Sequence, residues 1–488
     1  MTDCDVLVIG AGLLGCFTAR ALSAYELKIV VLEEREDVCT GISRANSGII
    51  YTGLDAAPGT LKAELCVRAN KDFDRLCAEL DVPFRRCGSL MIACGSRAEK
   101  KLRQRYEQGL QNGVEGLRLL ESAEVREMES GLTEDVTLAL YAPGTGTVDP
   151  WALGIAAYEN ACHNGAEFRF SEGVRHMERR DGGFLIETEK ESYRARAVVN
   201  AAGLRADGIR ELTEPPLLRL SPRAADYYVT DTTEGDRVSH VIFHESEEKG
   251  KGLTVIPTVG GNLLLGPTNR DWNGEEGMPT SADGLRELRE LCARVLPELE
   301  LSSVIRSFGA LRPNIEMGRM ENGAWIPTGE SVNSFSLTDE EGLFSLIGIK
   351  TPGLTCAHEL GVLTAEKAAA WLGSAAKKKD YDPVRRGIPR VRELSEEERT
   401  ALIARNPDYG RIVCQCREIS RGEILESIRR GAVTVDGVKR RVGAGMGRCQ
   451  GSRCMHTVLE LLARETGRDI REICKDGPGT EIITGKRT

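Results

Sequence analysis

Asp5-Val6-Leu7-Val8-Ile9-Gly10-Ala11-Gly12-Leu13-Leu14-Gly15 is the stretch on which the fold turns. Its apolar run reads as a buried β-strand, and the amphipathic segment from Leu13 to Ser23 reads as a helix. Between them the glycines divide the work. Gly10 permits a tight turn, Gly12 lets the backbone approach a pyrophosphate, and Gly15 allows close helix–sheet packing. Leu13 and Leu14 open the helix, whose free N–H groups and positive dipole end suit phosphates. A second strand, Lys28-Ile29-Val30-Val31-Leu32, runs into Glu33 and Glu34. Glu33 stands about 20 residues past the glycines, where an acid accepts hydrogen bonds from a ribose hydroxyl. Two parallel strands joined by a helix predict an α/β, Rossmann-like sheet with both faces covered.

Further along, Ala197-Val198-Val199 leads into Asn200-Ala201-Ala202-Gly203, and Phe344-Ser345-Leu346-Ile347-Gly348 precedes a helix expected from about Ala357 to Leu372. Both read as strands returning to the first sheet. From about 215 to 335 the texture alternates, with Tyr227-Tyr228-Val229 and the pair Leu253 to Pro257 and Leu263 to Gly266 joined at Gly260-Gly261-Asn262. This predicts an inserted, largely antiparallel domain. The expected division is a discontinuous cofactor domain (1–80, 150–214, 336–373), a substrate domain (81–149, 215–335), a linker (374–405) and a small helical C-terminal domain (406–488).

The 488 residues carry 65 Lys plus Arg against 74 Asp plus Glu, a net charge of −9. That balance gives no reason to expect a nucleic-acid or anionic-membrane surface. No apolar run reaches the roughly 20 residues that span a bilayer, and no basic segment precedes the first one. The chain therefore reads as cytoplasmic. Fifteen cysteines without a secretory signal argue against a disulfide framework and for thiols or metal ligands. Eleven are scattered and default to small buried hydrophobes. Cys414, Cys416, Cys449 and Cys454 form two close pairs, which fit either a [2Fe–2S] cluster or a tetrahedral zinc. Between them Ser420-Arg421-Gly422-Glu423 reads as a capping box opening a helix that ends at Gly431, and Val458-Leu459 with Leu461-Leu462 suggests a second helix.

The early glycine turn with distant returns near 200 and 348 resembles the FAD-dependent oxidoreductases of the D-amino-acid oxidase type. Thr40-Gly41-Ile42-Ser43-Arg44-Ala45-Asn46-Ser47-Gly48-Ile49-Ile50 is similar to that group's flavin loop. The resemblance implies FAD held by Gly10, Gly12, Leu13, Leu14, Gly15, Glu33 and Glu34. To these it adds Ser43, Asn46, Ser47 and Gly48 of the loop, with Val174, Ala202, Gly203, Gly348, Gly353, Leu354 and Thr355. The C-x-C and C-x4-C pairs, led by Gly445-Met446-Gly447-Arg448, are similar to the bacterioferritin-associated-ferredoxin-like domain and imply [2Fe–2S]. Over nearly its whole length the chain resembles the glycerol-3-phosphate dehydrogenases of anaerobic bacteria, and more distantly the L-2-hydroxyglutarate oxidases. Pro58-Gly59-Thr60-Leu61-Lys62-Ala63, Gly266-Pro267-Thr268 and Thr351-Pro352-Gly353-Leu354-Thr355 are among the matching stretches.

Several positions depart from that pattern. Tyr51 and Gly260 stand where histidines are expected, Lys350 where an acid is expected, and His358 where small residues or proline are usual. Oxidising a secondary alcohol or amine at a flavin requires the C–H bond to face the ring, a base, and a cation for the substrate's anionic end. Arg312, in Gly309-Ala310-Leu311-Arg312-Pro313, is the first candidate cation, because a guanidinium grips carboxylate or phosphate with two parallel bonds. Lys251 is the second. Tyr51, Lys350 and His358 are the candidates for proton transfer.

The leading expectation is an FAD- and [2Fe–2S]-dependent dehydrogenase of a small anionic 2-hydroxy compound, glycerol 3-phosphate first and L-2-hydroxyglutarate second. Electrons would pass to an acceptor protein or partner subunit. Amine or imino-acid oxidation, and a non-catalytic flavin relay, are the alternatives.

Overall fold

The computed structural model describes residues 1–246, 252–272, 274, 277–332, 335–373 and 376–485. Its first sheet has a parallel core in the order 167–169, 29–32, 2–9, 192–200, 343–347. Strand Ser336–Glu340 closes one edge in antiparallel fashion. The strands alternate cleanly. Val6, Val8 and Val31 face one side, and Leu7, Ile9, Val30 and Leu32 face the other. Helices Leu13–Leu22, Pro150–His163 and Gly353–Trp371 cover the first side. The second side is covered by something else, an antiparallel hairpin (Val174–Arg180 and Gly183–Thr188) that pairs with Ser192–Asn200 and buries Met177, Phe184 and Ile186. The helix after the last parallel strand begins at Gly353, four residues before the expected Ala357, with Pro352 as the residue that precedes it.

The second sheet has nine strands drawn from two stretches, 89–142 and 223–312. It is antiparallel except for one parallel pair, Ser89–Ala93 with Val241–Glu245. Thr254–Pro257 and Leu263–Gly266 form the expected hairpin, with Gly261 at φ +83° in the turn. A small three-stranded sheet joins the flavin-loop strand Ile49–Ile50 to Gly146–Val148 and Phe84–Arg86. Thr147 Oγ1 in turn donates to the Pro257 carbonyl (3.2 Å), so this small sheet bridges the two larger ones.

Residues 376–393 run as an ordered strap. Lys378 N–H donates to the Ala24 carbonyl (2.9 Å), the Asn160 amide donates to the Asp382 carbonyl (3.0 Å), and Arg385 pairs with Glu159 at 2.7 Å. Ile388 and Val391 are buried. The C-terminal unit holds three helices, Arg421–Arg429, Val435–Val442 and Met455–Thr466, around its own core of Ile424, Val438, Val458 and Leu462. The capping box is present, with the Ser420 hydroxyl accepting from Glu423 N–H and the Glu423 carboxylate accepting from Ser420 N–H.

This unit docks through buried charge. Asp37, 2% exposed, accepts from Arg441 (2.7 and 2.8 Å) and Arg440 (3.2 Å). Burial would raise the Asp37 carboxyl, but Arg441 and then Arg440 hold it below the usual range. Asp476 joins Arg440 at 2.7 Å and also pairs with Arg44 of the flavin loop. Removing one partner of a buried pair leaves an uncompensated charge, at about 3–5 kcal/mol. Asp37→Ala is therefore expected to release the C-terminal unit, seen as faster limited proteolysis of the strap and a separate melting transition. Wild-type proteolysis kinetics in that variant would remove Asp37 from the docking role.

Candidate active site

A cavity of about 740 Å³ lies where the first sheet meets the second, within the size range of small-molecule sites. Gly10, Gly12, Leu13, Leu14, Glu33, Glu34, Ser43, Asn46 and Ser47 line one part of it. Val174, Ala202, Gly203, Gly348, Gly353 and Leu354 also line it. Gly10 has φ +97°, and a Cβ there would sit 2.7 Å from the Ala201 carbonyl oxygen. A side chain at Gly12 would meet only Ser43 Oγ within 4 Å, so it would project into the cavity. Glu33 is held by Ala11 N–H (2.8 Å) and Arg35 N–H (2.9 Å), which leaves carboxylate lone pairs for ribose hydroxyls. Its burial raises the carboxyl despite those donors. Trp272 Nε1–H lines the same space and is buried with no partner among the described residues. Glycine cradle, acid and unpaired donor suit a dinucleotide.

Three expected contacts do not line the cavity. Gly15 packs against the turn, since a Cβ there would fall 1.9 Å from the Gly10 oxygen. Gly48, at φ +68°, lies under the Val148 carbonyl. Thr355 is buried and accepts from Tyr51 N–H (3.0 Å), tying the flavin loop to helix Gly353–Trp371.

At the far end of the cavity, side chains from separate elements converge. Arg312 comes from strand Val304–Arg312, and Tyr227 from Arg223–Thr230. Arg312 stands beside Tyr227, and burial raises the Tyr227 phenol against that cation. Burial followed by Asp55 pushes the Tyr51 phenol far up, so it is a poor base. Lys350 donates to Asn314 Oδ1 (2.8 Å), and burial, then Lys62 and Arg312, lowers its ammonium. Lys62 is itself lowered, first by burial, with Asp55 opposing. The contributions of Lys62, Asn314 and Tyr227 were not read from the sequence. Lys62 stood within a quoted matching stretch, while the other two carry no local signal.

Of the other sequence candidates, one is not among the described residues and one falls elsewhere. Lys251 lies outside the described residues. His358 is turned away from the cavity and packs edge-on against Phe17, 5.7 Å between ring centroids, because five residues into the helix the side chain faces helix Leu13–Leu22. His358 also approaches Asp72 and Glu359, with ligand atoms within 4.8 Å of one another, but arginines hold both acids: Arg75 on Asp72 and Arg68 on Glu359. Gly260 does not line the cavity either. Its carbonyl accepts from Arg417 Nη1 at 2.8 Å, so the missing side chain makes room for the C-terminal unit.

In that unit the Cys414 and Cys454 sulfurs are in contact, as are those of Cys416 and Cys449. The bond to Cys454, opposed by burial and aided by Gly445, Arg417 and Cys416 N–H groups, lowers the Cys414 thiol to about 6. Arg453 N–H heads the donors that bring Cys449 to about 7, whereas Cys454 is raised by Cys414 and burial. No three thiols among the described residues lie within 4.8 Å of one another. Four thiolates around one zinc at about 2.3 Å would all stand about 3.8 Å apart. Two separate pairs instead match two irons, each taking two sulfurs. Of the scattered thiols most are buried, but Cys162 is exposed and Cys87 and Cys94 are half-buried.

Comparison with known proteins agrees. Residues 5–367 match the family described as FAD dependent oxidoreductase, and 412–464 match the BFD-like [2Fe-2S] binding domain. The chain belongs to the FAD-dependent oxidoreductase family, with FAD and [2Fe–2S] as its cofactors. It is 41% identical over 483 residues to a glycerol 3-phosphate dehydrogenase of Caloramator mitchellensis, covering 99% of this chain and 98% of that one. Among solved structures, the FAD-bound L-alpha-glycerophosphate oxidase of Mycoplasma pneumoniae superposes at TM-score 0.70 with 25% identity, covering 79% of this chain and 99% of that one. No helix of the described residues is long and apolar enough to cross a membrane.

Burial lowers His358 to about 4, with Arg20 the next cause. Unfolded it returns to about 6.5. The unfolded chain therefore binds the extra proton between these values, so stability complete above pH 6.5 is lost as pH falls toward 4, by on the order of 3 kcal/mol. His358→Gln is expected to flatten the denaturant midpoint across that window and leave flavin reduction by substrate intact. An unchanged pH slope, or lost flavin reduction, would refute this placement.

Proposed function

We propose that the chain oxidises glycerol 3-phosphate at C2 to the ketone, dihydroxyacetone phosphate, and passes the electrons to a separate acceptor protein or partner subunit. The convergence of Arg312 and Lys350 beside the dinucleotide cavity carries this reading, supported by the full-length similarity to a glycerol 3-phosphate dehydrogenase. When bound, the flavin accepts the hydride and the [2Fe–2S] cluster takes electrons singly.

The chain's own residues do the rest. Arg312, beside Tyr227 on the cavity wall, binds the phosphate through two parallel N–H donors. Lys350, held at Nζ by Asn314, takes the C2 hydroxyl proton as the C–H bond breaks. Its burial, and then its crowding by Lys62 and Arg312, favours the neutral amine, the form able to accept a proton. The lining of Ile49, Ala310 and Leu311 keeps bulk water from that end. The division of labour we propose puts the dinucleotide on the first sheet, the substrate against the second, and the cluster on the C-terminal unit.

The test is anaerobic flavin bleaching with glycerol 3-phosphate, L-2-hydroxyglutarate, glycine and proline. Bleaching by glycerol 3-phosphate alone is the expected result, and bleaching only by another compound reassigns the substrate. Lys350 must be neutral to act, so the bleaching rate should climb as pH rises through a pKa below the ordinary 10.5. Lys350→Met should slow it ~10²–10⁴-fold and erase that limb. A variant that keeps the wild-type profile exonerates Lys350. Arg312→Lys should weaken substrate binding by roughly 1–3 kcal/mol, read from the concentration dependence of bleaching.

A further inference from the structure

Arg417 immediately follows Cys416 and is half-buried at the seam between the C-terminal unit and the second sheet. Its Nη1 donates to the Gly260 carbonyl, but Nε is buried with no partner, and no carboxylate among the described residues pairs with it. A half-buried guanidinium whose Nε is sealed from water without a partner is costly. The charges that face it are Arg392, which repels, and Cys414, Asp149 and Glu393, which attract. Asp149 is already occupied, its carboxylate capping helix Pro150–His163 through Trp151 and Ala152 N–H groups. Glu393 is shared between Arg390 and Arg392. That leaves the cluster thiols, of which Cys414 is among the charges that attract it. Arg417 follows one ligand directly, and its side chain lies beside Gly447, whose Cβ would stand 3.4 Å from Arg417 Cγ.

A [2Fe–2S] core held by four thiolates is a net anion, and it gains one further negative charge on reduction. We infer that Arg417 is the buried counter-charge of the cluster, stabilising its reduced state and so drawing electrons from the flavin side of the molecule. The same side chain joins ligand to cavity. The Gly260 turn follows Pro257, whose carbonyl accepts from Thr147, and Thr147 pairs with Ile49 on the cavity wall. Glycine at 260 is part of the device, since its ideal Cβ would lie 3.3 Å from Arg417 Nη2. The inference rests on the cluster and not on the substrate.

The experiment is a redox titration of the full-length holoenzyme without substrate, using mediator dyes and following the cluster by electron paramagnetic resonance. Arg417→Gln is expected to lower the midpoint, with the ratio of reduced to oxidised cluster at the wild-type midpoint falling about tenfold, which is 59 mV for one electron. Arg417→Lys, which keeps the charge, is expected to stay near wild type. An unchanged midpoint in Arg417→Gln with full iron overturns the inference, as does a fall of equal size in Arg417→Lys. Iron lost from Arg417→Gln but kept in Arg417→Lys also supports a requirement for charge. Iron lost from both means that the site uses the guanidinium's shape, and the inference fails.

Discussion

The contact of Gly15 with the Gly10 carbonyl sets the geometry that everything else follows. With no Cβ at 15, helix Leu13–Leu22 lies directly on the turn that closes the first strand. Helix Gly353–Trp371 then crosses the first helix at Gly361, where a Cβ would sit 2.7 Å from the Phe17 carbonyl carbon. Two close approaches in series therefore fix the segment 348–354 at the cavity. They also fix Lys350, whose backbone N–H is held by Gly348 and whose carbonyl accepts from Gly353. Packing this tight forgives little, because an added methylene in a close-packed interior must displace backbone.

On that scaffold, the chain places charge where burial makes it expensive, and it does so for two different ends. Asp37 and Asp476 together balance Arg440 and Arg441 and hold two units together. Arg312, Lys350 and Lys62 form a group of like charge with too few acids to answer it. Such a group is destabilising in isolation, and an anionic ligand relieves it. Burial and then the repulsion that together lower Lys350 are thus the counterpart of the anion binding proposed for the site.

Much of this was legible in the sequence. The glycine turn, the acid after the second strand and the paired cysteines are signals whose chemistry requires particular residues at short spacing. The helix-covered face of the sheet was legible for the same reason. The opposite face was not, because strands of alternating burial do not say whether a helix or a hairpin covers them. His358 shows a different limit. Its nearness in sequence to the Thr351-Pro352-Gly353 turn suggested the cavity, but the helix rotates it toward Phe17. Lys350 was visible as an oddity. Its crowding depends on residues 62 and 312, which no local pattern links to 350.

Gly260 is the case where sequence and structure differ most usefully. Read along the chain, a missing histidine suggests altered acid–base chemistry at the flavin. Read in three dimensions, position 260 faces the cluster unit, and its bare carbonyl receives Arg417. On the neighbouring strap of contacts, Arg448, which precedes Cys449, pairs with Asp231, and Arg306 meets Gln450. The residue after one ligand and the residues either side of another are thus all anchored on the second sheet, while Asp37 and Arg44 anchor the far side of the same unit on the first. A unit gripped from both sides close to its metal ligands has a fixed distance to the flavin cavity. On the proposed wiring, electron transfer needs no domain swing, and the departure at 260 serves the docking of the cluster unit rather than substrate choice.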